Sequence, residues 1–364
     1  MHNKSNLKIK VLGVGGCGNN SIKALMNKQI PNVEYIAFNT DSQALTQFDS
    51  EYSVPLGDFE KRRGFGAGND PQKGRECALE SKDEIENRIK DADIVIIAAG
   101  MGKGTGTGAS PVIAEIAKKT ALLTIAVVTI PFAYEGEKIF NNAKMGLELL
   151  KKEVDAILIV SNDKLLESFG ALASEHSLKY SNTTLEKTIE MISEITNKVG
   201  TQNVDFADLL SILKNKGEII INSADGSGKD RAQKAVEKVL FSPILESSII
   251  GATDVIVNIT GSNVTYYEIS LIIDTIKKAT GINSNIIQGL INTETQDKDI
   301  KISIVASGID KDKKTLEKEE IQQINFHKEN NKWDELFYQE DFPGEENLEN
   351  EEDESFDDLP SFLK

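Results

Sequence analysis

Short apolar runs alternate with amphipathic segments through the first half of the chain. The runs typical of buried β-strands cover residues 8–12, 33–39, 94–99, 123–130 and 156–160. Helical patterns lie between the later runs, and another helical pattern begins at Asn20. Strands that alternate with helices predict a parallel, doubly wound sheet. A ligand of such a sheet is expected at the carboxyl ends of the strands.

A long helical pattern separates this half from a second block. Leu185, Ile189 and Ile192 recur at helical spacing within residues 182–199, and Gly200 fits a helix C-cap. The second block predicts strands at 219–221, 254–259, 284–287 and 301–306, and helices at 231–240 and 267–278. We therefore expect a smaller α/β domain, followed beyond Asp310 by a polar, charged segment that predicts disorder.

The segment 100–108, G-M-G-K-G-T-G-T-G, follows a predicted buried strand directly. Glycine lacks a Cβ, so such a loop can aim several backbone N–H groups at one point. The helical pattern after it, which starts at Pro111, would add the positive end of a helix dipole. This arrangement predicts a phosphate-binding loop.

A second glycine loop, at 13–20, admits more than one interpretation. Gly13, Gly15 and Gly18 satisfy G-x-G-x-x-G, and Asp41 follows at a suitable distance, which favours a Rossmann dinucleotide site and an NAD-dependent oxidoreductase. A tight strand–helix turn without a ligand is the structural alternative. The second, richer loop and the lack of an evident acid or base for hydride transfer count against the oxidoreductase.

Walker A chemistry is not expected at residues 223–230. Ser223 replaces the first glycine of that motif and Asp230 its Ser or Thr, so residues 226–230 are interpreted as an exposed turn.

Composition excludes several classes of protein. The 364 residues carry a net charge of −17, and residues 333–364 contribute −12 of it through thirteen acids and one lysine. A nucleic-acid partner is therefore not expected. No apolar run approaches the roughly 20 residues that span a bilayer, so direct membrane insertion is not expected. Two cysteines and three dispersed histidines exclude a disulfide framework and a histidine metal site.

Six short motifs follow one another along the chain: N-T-D at 39–41, G-F-G-A-G-N-D-P at 64–71, G-T-G-T-G at 104–108, P-F-A-Y-E-G at 131–136, N-D-K-L-L at 162–166 and N-V-D-F-A-D at 203–208. Together they resemble the FtsZ family, the bacterial homologues of tubulin that polymerise into the cell-division ring. The resemblance implies a Rossmann-like parallel-sheet GTP-binding domain at 1–180, joined by a central helix at 181–202 to a smaller α/β domain at 203–310. A disordered acidic linker at 311–354 and a partner-binding peptide at 355–364 would follow.

The resemblance also implies GTP or GDP as the ligand, together with Mg²⁺. The implied nucleotide contacts are Gly16, Cys17, Gly18, Asn19, Asn20, Ala67, Gly68, Gly104, Thr105, Gly106, Thr107, Glu135 and Asn182. The first five would line the α- and β-phosphates and approach the base, the next two would lie near the γ-phosphate, and the segment 104–107 would cradle the phosphates. Glu135 would reach the ribose, and Asn182 the guanine edge.

The acidic loop after the central helix is the implied catalytic element. By composition, Asn203, Asp205 and Asp208 would be an ordinary solvated turn. The resemblance instead implies that they enter the nucleotide site of the next subunit and polarise the water that attacks the γ-phosphate. GTP hydrolysis would then require head-to-tail assembly.

The chain departs from the family pattern beside the phosphates. Lys103 replaces a glycine and is expected to point to solvent, with added charge near the phosphates as the alternative. Ile139 stands where the family commonly has arginine, a loss for which Lys138 or Lys103 could compensate. These departures motivate a further alternative, a GTP-binding filament that does not hydrolyse. The residue that stacks on guanine stays open between Leu178 and Tyr180.

The extreme C-terminus regains apolar residues after the acidic linker. Residues 356–364, F-D-D-L-P-S-F-L-K, resemble the peptide by which the family binds a membrane tether and division regulators. The implied location is the cytoplasm, at the mid-cell division ring.

Overall fold

The computed structural model describes residues 7–28, 30–58, 63–169, 174–197, 202, 204–240, 247–281, 283–293 and 299–309. All of them belong to the first of two compact units, residues 1–314. The second unit, residues 315–364, holds most of the linker and the peptide predicted from sequence, and it lies outside the described residues. No helix in the described ranges has the length and apolar character needed to cross a membrane.

Strands and helices alternate along most of this unit. The strands are β1 Ile9–Val14, β2 Val33–Asn39, β3 Ser53–Pro55, β4 Ile94–Gly100, β5 Leu123–Ile130, β6 Ala156–Ser161, β7 Gly217–Glu218, β8 Ile220–Gly226, β9 Asp254–Gly261, β10 Asn285–Asn292 and β11 Ile300–Ser307. The α-helices are α1 Gly15–Met26, α2 Ser42–Leu45, α3 Pro71–Glu80, α4 Lys82–Ile89, α5 Thr105–Thr120, α6 Glu137–Glu153, α7 Asn162–Phe169, α8 Ser174–Asn197, α9 Phe206–Leu213, α10 Arg231–Leu240 and α11 Tyr266–Thr280. Short 3₁₀ turns cover Ser50–Tyr52 and Ala133–Glu135.

The larger sheet is fully parallel and confirms the doubly wound prediction. Its seven strands lie in the order β3-β2-β1-β4-β5-β6-β7, so the strand order reverses between β1 and β4. These two central strands pair in register from Ile9 with Ile94 to Val14 with Ala99. Because their ends are level, the chain segments that follow them start side by side at the carboxyl edge of the sheet, where ligands of such folds bind.

The smaller sheet confirms the second α/β domain. Its four strands lie in the order β10-β9-β11-β8; β9 and β10 are parallel, and β11 is antiparallel to both of its neighbours. The segment after β8 is an exposed turn, as expected from its failed match to a Walker A motif. The helix α8 lies between the two domains in sequence, and its Leu185, Ile189 and Ile192 are buried as their spacing predicted.

The helix α8 runs beside α1 from the carboxyl edge of the large sheet to its amino edge. Ser21, in the middle of α1, donates a hydrogen bond from Oγ to Asn182 Oδ1 at 2.8 Å. Further along, Lys28 pairs with Glu186. The Ser193 hydroxyl then donates to the carbonyl of Pro31, just before β2, at 3.3 Å. The chain therefore leaves α8 on the side opposite the glycine loops.

Two helices begin earlier than their sequence periodicity predicted. We expected helices from Asn20 and from Pro111, yet α1 starts at Gly15 and α5 at Thr105, inside the glycine segments. Glycine lowers helix stability without forbidding the conformation, and it adds no apolar residue to a periodic pattern. The central helix also starts earlier, at Ser174, because the polar residues before Asn182 show no such pattern.

A buried carboxylate fixes the amino edge of the large sheet to the second domain. Asp155 is fully buried before β6; its Oδ2 accepts a hydrogen bond from the Thr124 backbone N–H at 2.8 Å and pairs with Lys214 Nζ at 3.0 Å. Its backbone carbonyl also accepts the N–H groups of Lys216 and Gly217. In the described part of the chain Asp155 Oδ1 has no hydrogen-bond partner. Lys214 is therefore the principal compensation for this buried charge.

Lys214→Met should lower the free energy of unfolding by about 2 kcal/mol, because it leaves a buried carboxylate without its cation. Urea denaturation of the full chain measures the change. Lys119→Met is the matched control: Lys119 pairs with Glu115 at 2.6 Å on an exposed helix face, where solvent screens the pair and a much smaller loss is expected. Equal losses in the two variants would contradict the role given to Lys214.

Candidate nucleotide site

Three glycine-rich segments, residues 13–20, 64–70 and 100–108, meet at the carboxyl edge of the large sheet. A methyl group added to Gly15 would stand 2.9 Å from the backbone nitrogen of Gly106, and Gly15 has a φ of +74°. A methyl group on Gly104 would stand 2.5 Å from Ala67 Cβ. Backbone therefore packs directly on backbone, and larger side chains would force the segments apart.

Two helix N-termini lie next to each other at this contact. The helix α1 begins at Gly15, and the 16-residue helix α5 begins at Thr105. The first N–H groups of a helix have no partner within it, and the helix dipole adds positive potential at that end. At the start of α5, the backbone N–H of Gly108 bonds to the backbone carbonyl of Gly104 at 2.9 Å. The combined geometry suits a polyphosphate.

Hydroxyl groups brace the segment 100–108 from inside. The buried Thr107 accepts a hydrogen bond at Oγ1 from the Gly102 backbone N–H at 2.7 Å. The Thr105 and Thr40 hydroxyls are hydrogen-bonded at 2.7 Å, which ties the start of α5 to the end of β2. The Thr107 hydroxyl therefore holds the loop, and it is the backbone of 104–107 that is available to a ligand.

Asn19 is a brace of the first loop. Its side chain is fully buried: Nδ2 donates to Gly13 O at 3.0 Å, and Oδ1 accepts from Asn39 Nδ2 at 2.7 Å. Any contact that Asn19 makes with a ligand must therefore come from its backbone. Sequence reasoning gave Asn39 no role, although an N-T-D motif at the end of a buried strand was the available signal.

Gly16, Cys17 and Asn20 are the exposed positions of the first loop. A methyl group on Gly16 would meet no atom within 4 Å, so this face of α1 opens onto free space. Cys17 presents part of its surface to solvent, yet its sulfur packs against protein, and this burial raises the pKa of the thiol. Its Sγ lies 3.6 Å from Thr129 Oγ1, so the thiol is hydrogen-bonded to the end of β5.

The segment after β5 supplies the other side of the opening. Glu135 accepts the Phe132 backbone N–H at Oε1 (3.2 Å), and its Oε2 lies 3.3 Å from Lys103 Nζ. Lys103, expected to point to solvent, thus makes an ion pair across two loops. Ile139 packs on the glycine loop, because a methyl group on Gly102 would stand 2.7 Å from Ile139 Cγ2.

Asn182 is connected to the site by a hydrogen bond with Ser21, a residue to which the sequence analysis gave no role. Ser21 Oγ lies 2.8 Å from Asn182 Oδ1 and 3.2 Å from the Cys17 carbonyl oxygen. The central helix is thereby anchored to the first glycine loop. A lone serine in an amphipathic helix carries no signal of this contact.

The acidic loop is folded as the start of α9. Asp205 Oδ1 accepts the Asp208 N–H at 2.8 Å, and Asp208 Oδ2 accepts the Asp205 N–H at 3.0 Å, a reciprocal capping box. Each acid thus keeps one carboxylate oxygen outside this pair. Asn203, the third predicted member, lies outside the described residues.

These acids do not join the glycine loops of their own chain. Lys214, directly after α9, bonds to Leu122 O at 2.7 Å and to Asp155, which precede β5 and β6 at the amino edge. An eight-residue helix is about 12 Å long, whereas the eight residues of β5 span about 26 Å. The acids therefore lie towards the amino edge, and the loops at the carboxyl edge.

Comparison with known proteins identifies the family. Residues 8–170 match the model of the Tubulin/FtsZ family GTPase domain, and residues 217–310 match that of the FtsZ family C-terminal domain. The cell division protein FtsZ of Mycoplasmopsis pulmonis (strain UAB CTIP) is 42% identical over 314 residues, which cover 86% of this chain and 80% of that protein. The chain belongs to the tubulin/FtsZ family. Its nucleotide is therefore a guanine nucleotide and its class of activity GTP hydrolysis, and the oxidoreductase alternative is wrong.

Solved structures agree with this assignment. An empty FtsZ dimer of M. jannaschii is similar with a TM-score of 0.74 and 36% identity, over 84% of this chain and 89% of that one. CetZ2 from Haloferax volcanii is similar with a TM-score of 0.71 and 18% identity, over 87% and 99% of the two chains, and shares the fold. The individual roles given to residues above remain predictions of the tubulin/FtsZ resemblance.

Gly16→Ala should leave the fold intact and weaken guanine-nucleotide binding, because its methyl group enters open space on the ligand side of α1. Gly18→Ala is the contrasting variant: its methyl group would stand 2.1 Å from Ala98 O, so a loss of roughly 3 kcal/mol in folding stability is expected. Thermal unfolding and GDP titration measure the two effects. Unchanged GDP affinity in folded Gly16→Ala would place the nucleotide elsewhere.

Proposed function

We propose that this chain assembles head to tail into filaments of the bacterial division ring and hydrolyses GTP at the contacts between subunits. The observation that carries the proposal is the position of Asp205 and Asp208 at the edge opposite the glycine loops. A single subunit therefore cannot bring its acids and its glycine loops to the same nucleotide. A second subunit, stacked with its amino edge on the carboxyl edge of the first, would complete the site.

The surroundings of the loops support an interface there. Phe65 and Tyr134, in the segments beside the glycine loops, are 79% and 72% exposed. Exposed aromatic side chains are typical of contact surfaces. A contact between two different faces of the same chain adds subunits without closing, which gives filaments. The FtsZ structure of M. jannaschii, solved as a dimer, supports self-association in this family.

Within the assembled site, the chain's own groups would act by positioning and by electrostatics. The backbone N–H groups of Gly104, Thr105, Gly106 and Thr107 and those of residues 16–20 would hold the phosphates, with Ala67 and Gly68 near the γ-phosphate. Glu135 would contact the ribose and Asn182 the guanine. The neighbour's Asn203, Asp205 and Asp208 would orient and polarise the attacking water through oxygens that the capping box leaves free.

Mg²⁺ is expected with the nucleotide. This ion usually keeps several waters and binds through substrate phosphates and one or two protein oxygens. No group of three metal-ligating side chains gathers in the part of the chain that the structure describes. The Thr40 and Thr105 hydroxyls lie beside the first turn of α5 and could supply these one or two protein oxygens. They would hold the ion, and the ion would neutralise part of the phosphate charge.

The C-terminal residues 356–364 would bind a membrane tether and division regulators, which would hold the filament at the mid-cell ring on the cytoplasmic face of the membrane. The support is the return of Phe356, Leu359, Phe362 and Leu363 after a long acidic segment. Short apolar motifs at the end of a flexible tether typically fold onto a partner's groove.

Two variants that are each inactive in GTP hydrolysis should restore activity when they are mixed. Asp208→Asn keeps the helix cap but removes the catalytic charge, so it should bind GTP and turn over at least about 100-fold more slowly. Gly16→Asp should exclude the nucleotide by repulsion yet present intact acids. An equal mixture should recover roughly one quarter of the wild-type rate, because half of the subunits hold GTP and half of their neighbours carry both acids.

Phosphate release and sedimentation are recorded together for this mixture. If both variants sediment from the mixture but no phosphate is released, the site is not shared between subunits. The wild-type rate per subunit serves as the control and should rise from near zero above a threshold protein concentration. Wild-type pellets without phosphate release would instead favour the non-hydrolysing filament that Lys103 and Ile139 motivated.

Deletion of residues 356–364 should leave GTP turnover and sedimentation unchanged, because every residue assigned to the site lies between 16 and 208, and should abolish ring localisation in cells. Fluorescence imaging of the tagged chain provides the measurement. A variant in which only Phe362 and Leu363 become Ala should behave in the same way. Normal rings in both variants would rule out this peptide as the attachment point.

A further inference from the structure

Lys103 stands out as a cation inside a phosphate loop. It lies between Gly102 and Gly104, the N-cap of α5, and it is the only charged residue of segment 100–108. Its Nζ is 3.3 Å from Glu135 Oε2. The strands β4 and β5 are neighbours, so this ion pair connects the two loops that leave their carboxyl ends.

The partner of Lys103 is held in place independently. Glu135 accepts the Phe132 backbone N–H through its other oxygen, Oε1, at 3.2 Å. The carboxylate is therefore fixed by its own turn, and it fixes the ammonium group of Lys103 in turn. A long, otherwise mobile side chain is thus positioned beside the first turn of α5.

Structural stability does not explain this ion pair. The Lys103 side chain is 63% exposed and that of Glu135 is 21% exposed, and an ion pair whose cation lies in solvent contributes little to folding because solvent screens it. Polyphosphate at the adjacent loop carries several negative charges, and it would attract this ammonium group more strongly than the single Glu135 carboxylate does.

The neighbouring helix offers no better cation. Ile139 packs on Gly102, so the face of α6 turned towards the loop is apolar at this point. Lys138 is exposed one residue earlier, and adjacent residues on a helix point about 100° apart. Lys103 is thus better placed than Lys138 to reach phosphates bound by residues 104–107.

We propose that Lys103 is a nucleotide-binding residue of this chain: its ammonium group binds the polyphosphate of GTP while Glu135 holds it over the opening. This inference rests on the proposed GTPase function. It assigns the loop a charge-assisted contact in addition to its backbone N–H groups.

Dissociation constants of the full-length protein for GDP and for a slowly hydrolysed GTP analogue test the inference. Lys103→Ala should weaken binding of the GTP analogue about tenfold, the effect of one charge-assisted hydrogen bond. The affinity of the variant should also depend less on salt than that of the wild type. The melting temperature without nucleotide should not change. Lys144→Ala, an exposed lysine further along α6, is the matched control and should bind like the wild type.

A second substitution separates charge from loop packing. Ile139→Arg places a guanidinium group at a position that already contacts the loop. In the Lys103→Ala background it should restore most of the lost affinity for the GTP analogue. In the wild-type background the same change should increase the affinity for the GTP analogue by less, because Lys103 already supplies a cation to the phosphates. The two effects should therefore be non-additive in a double-mutant cycle.

The outcomes are distinguishable. Wild-type affinity in Lys103→Ala, or a tenfold loss in Lys138→Ala instead, would overturn the role of Lys103 and leave the proposed GTPase intact. A loss in Lys103→Ala that is insensitive to salt and not restored by Ile139→Arg would also overturn it, because loop packing would then be the cause. Wild-type protein that binds neither nucleotide would overturn the proposed function itself.

Discussion

The molecule depends on the close approach of two glycine backbones at the switch point of its large sheet. The strands β1 and β4 end level with each other, and the segments that leave them touch where Gly15 meets Gly106. Side chains at either position would separate the first turns of α1 and α5. The convergence of the two dipoles, and hence the affinity for polyphosphate, therefore follows from an absence of side-chain atoms at a few positions.

The large sheet also separates the glycine loops at its carboxyl edge from the acids of α9, which lie towards its amino edge. The helix α8, anchored at Asn182 beside the loops, rises about 22 Å over its remaining fifteen residues before the acidic loop begins. The buried pair of Asp155 with Lys214 then fixes the end of α9 to the amino edge. A rigid helix and a desolvated ion pair thus hold Asp205 and Asp208 away from their own loops.

Sequence reasoning recovered the parallel sheet, the positions along the chain of the strands that coincide with clear apolar runs, and two glycine segments at the carboxyl ends of strands. It placed the starts of α1 and α5 too late, because glycines show no helical periodicity. Contacts between polar side chains distant in sequence were beyond it. Asn39 with Asn19, Ser21 with Asn182, and Lys103 with Glu135 depend on tertiary packing, and each partner alone has an ordinary local environment. The resemblance to tubulin/FtsZ proteins supplied residue roles that pattern reasoning could not.

The capping box at the start of α9 shows how the acids can serve a site that their own chain never holds. Each aspartate commits one oxygen to the other's backbone N–H, so both carboxylates are oriented before any partner arrives. A preorganised pair loses little side-chain entropy when it meets a water on a neighbouring nucleotide, which is the condition for catalysis by positioning. In the proposed filament, the position of the acids on a helix N-terminus, rather than on a free loop, would therefore favour a site divided between two molecules.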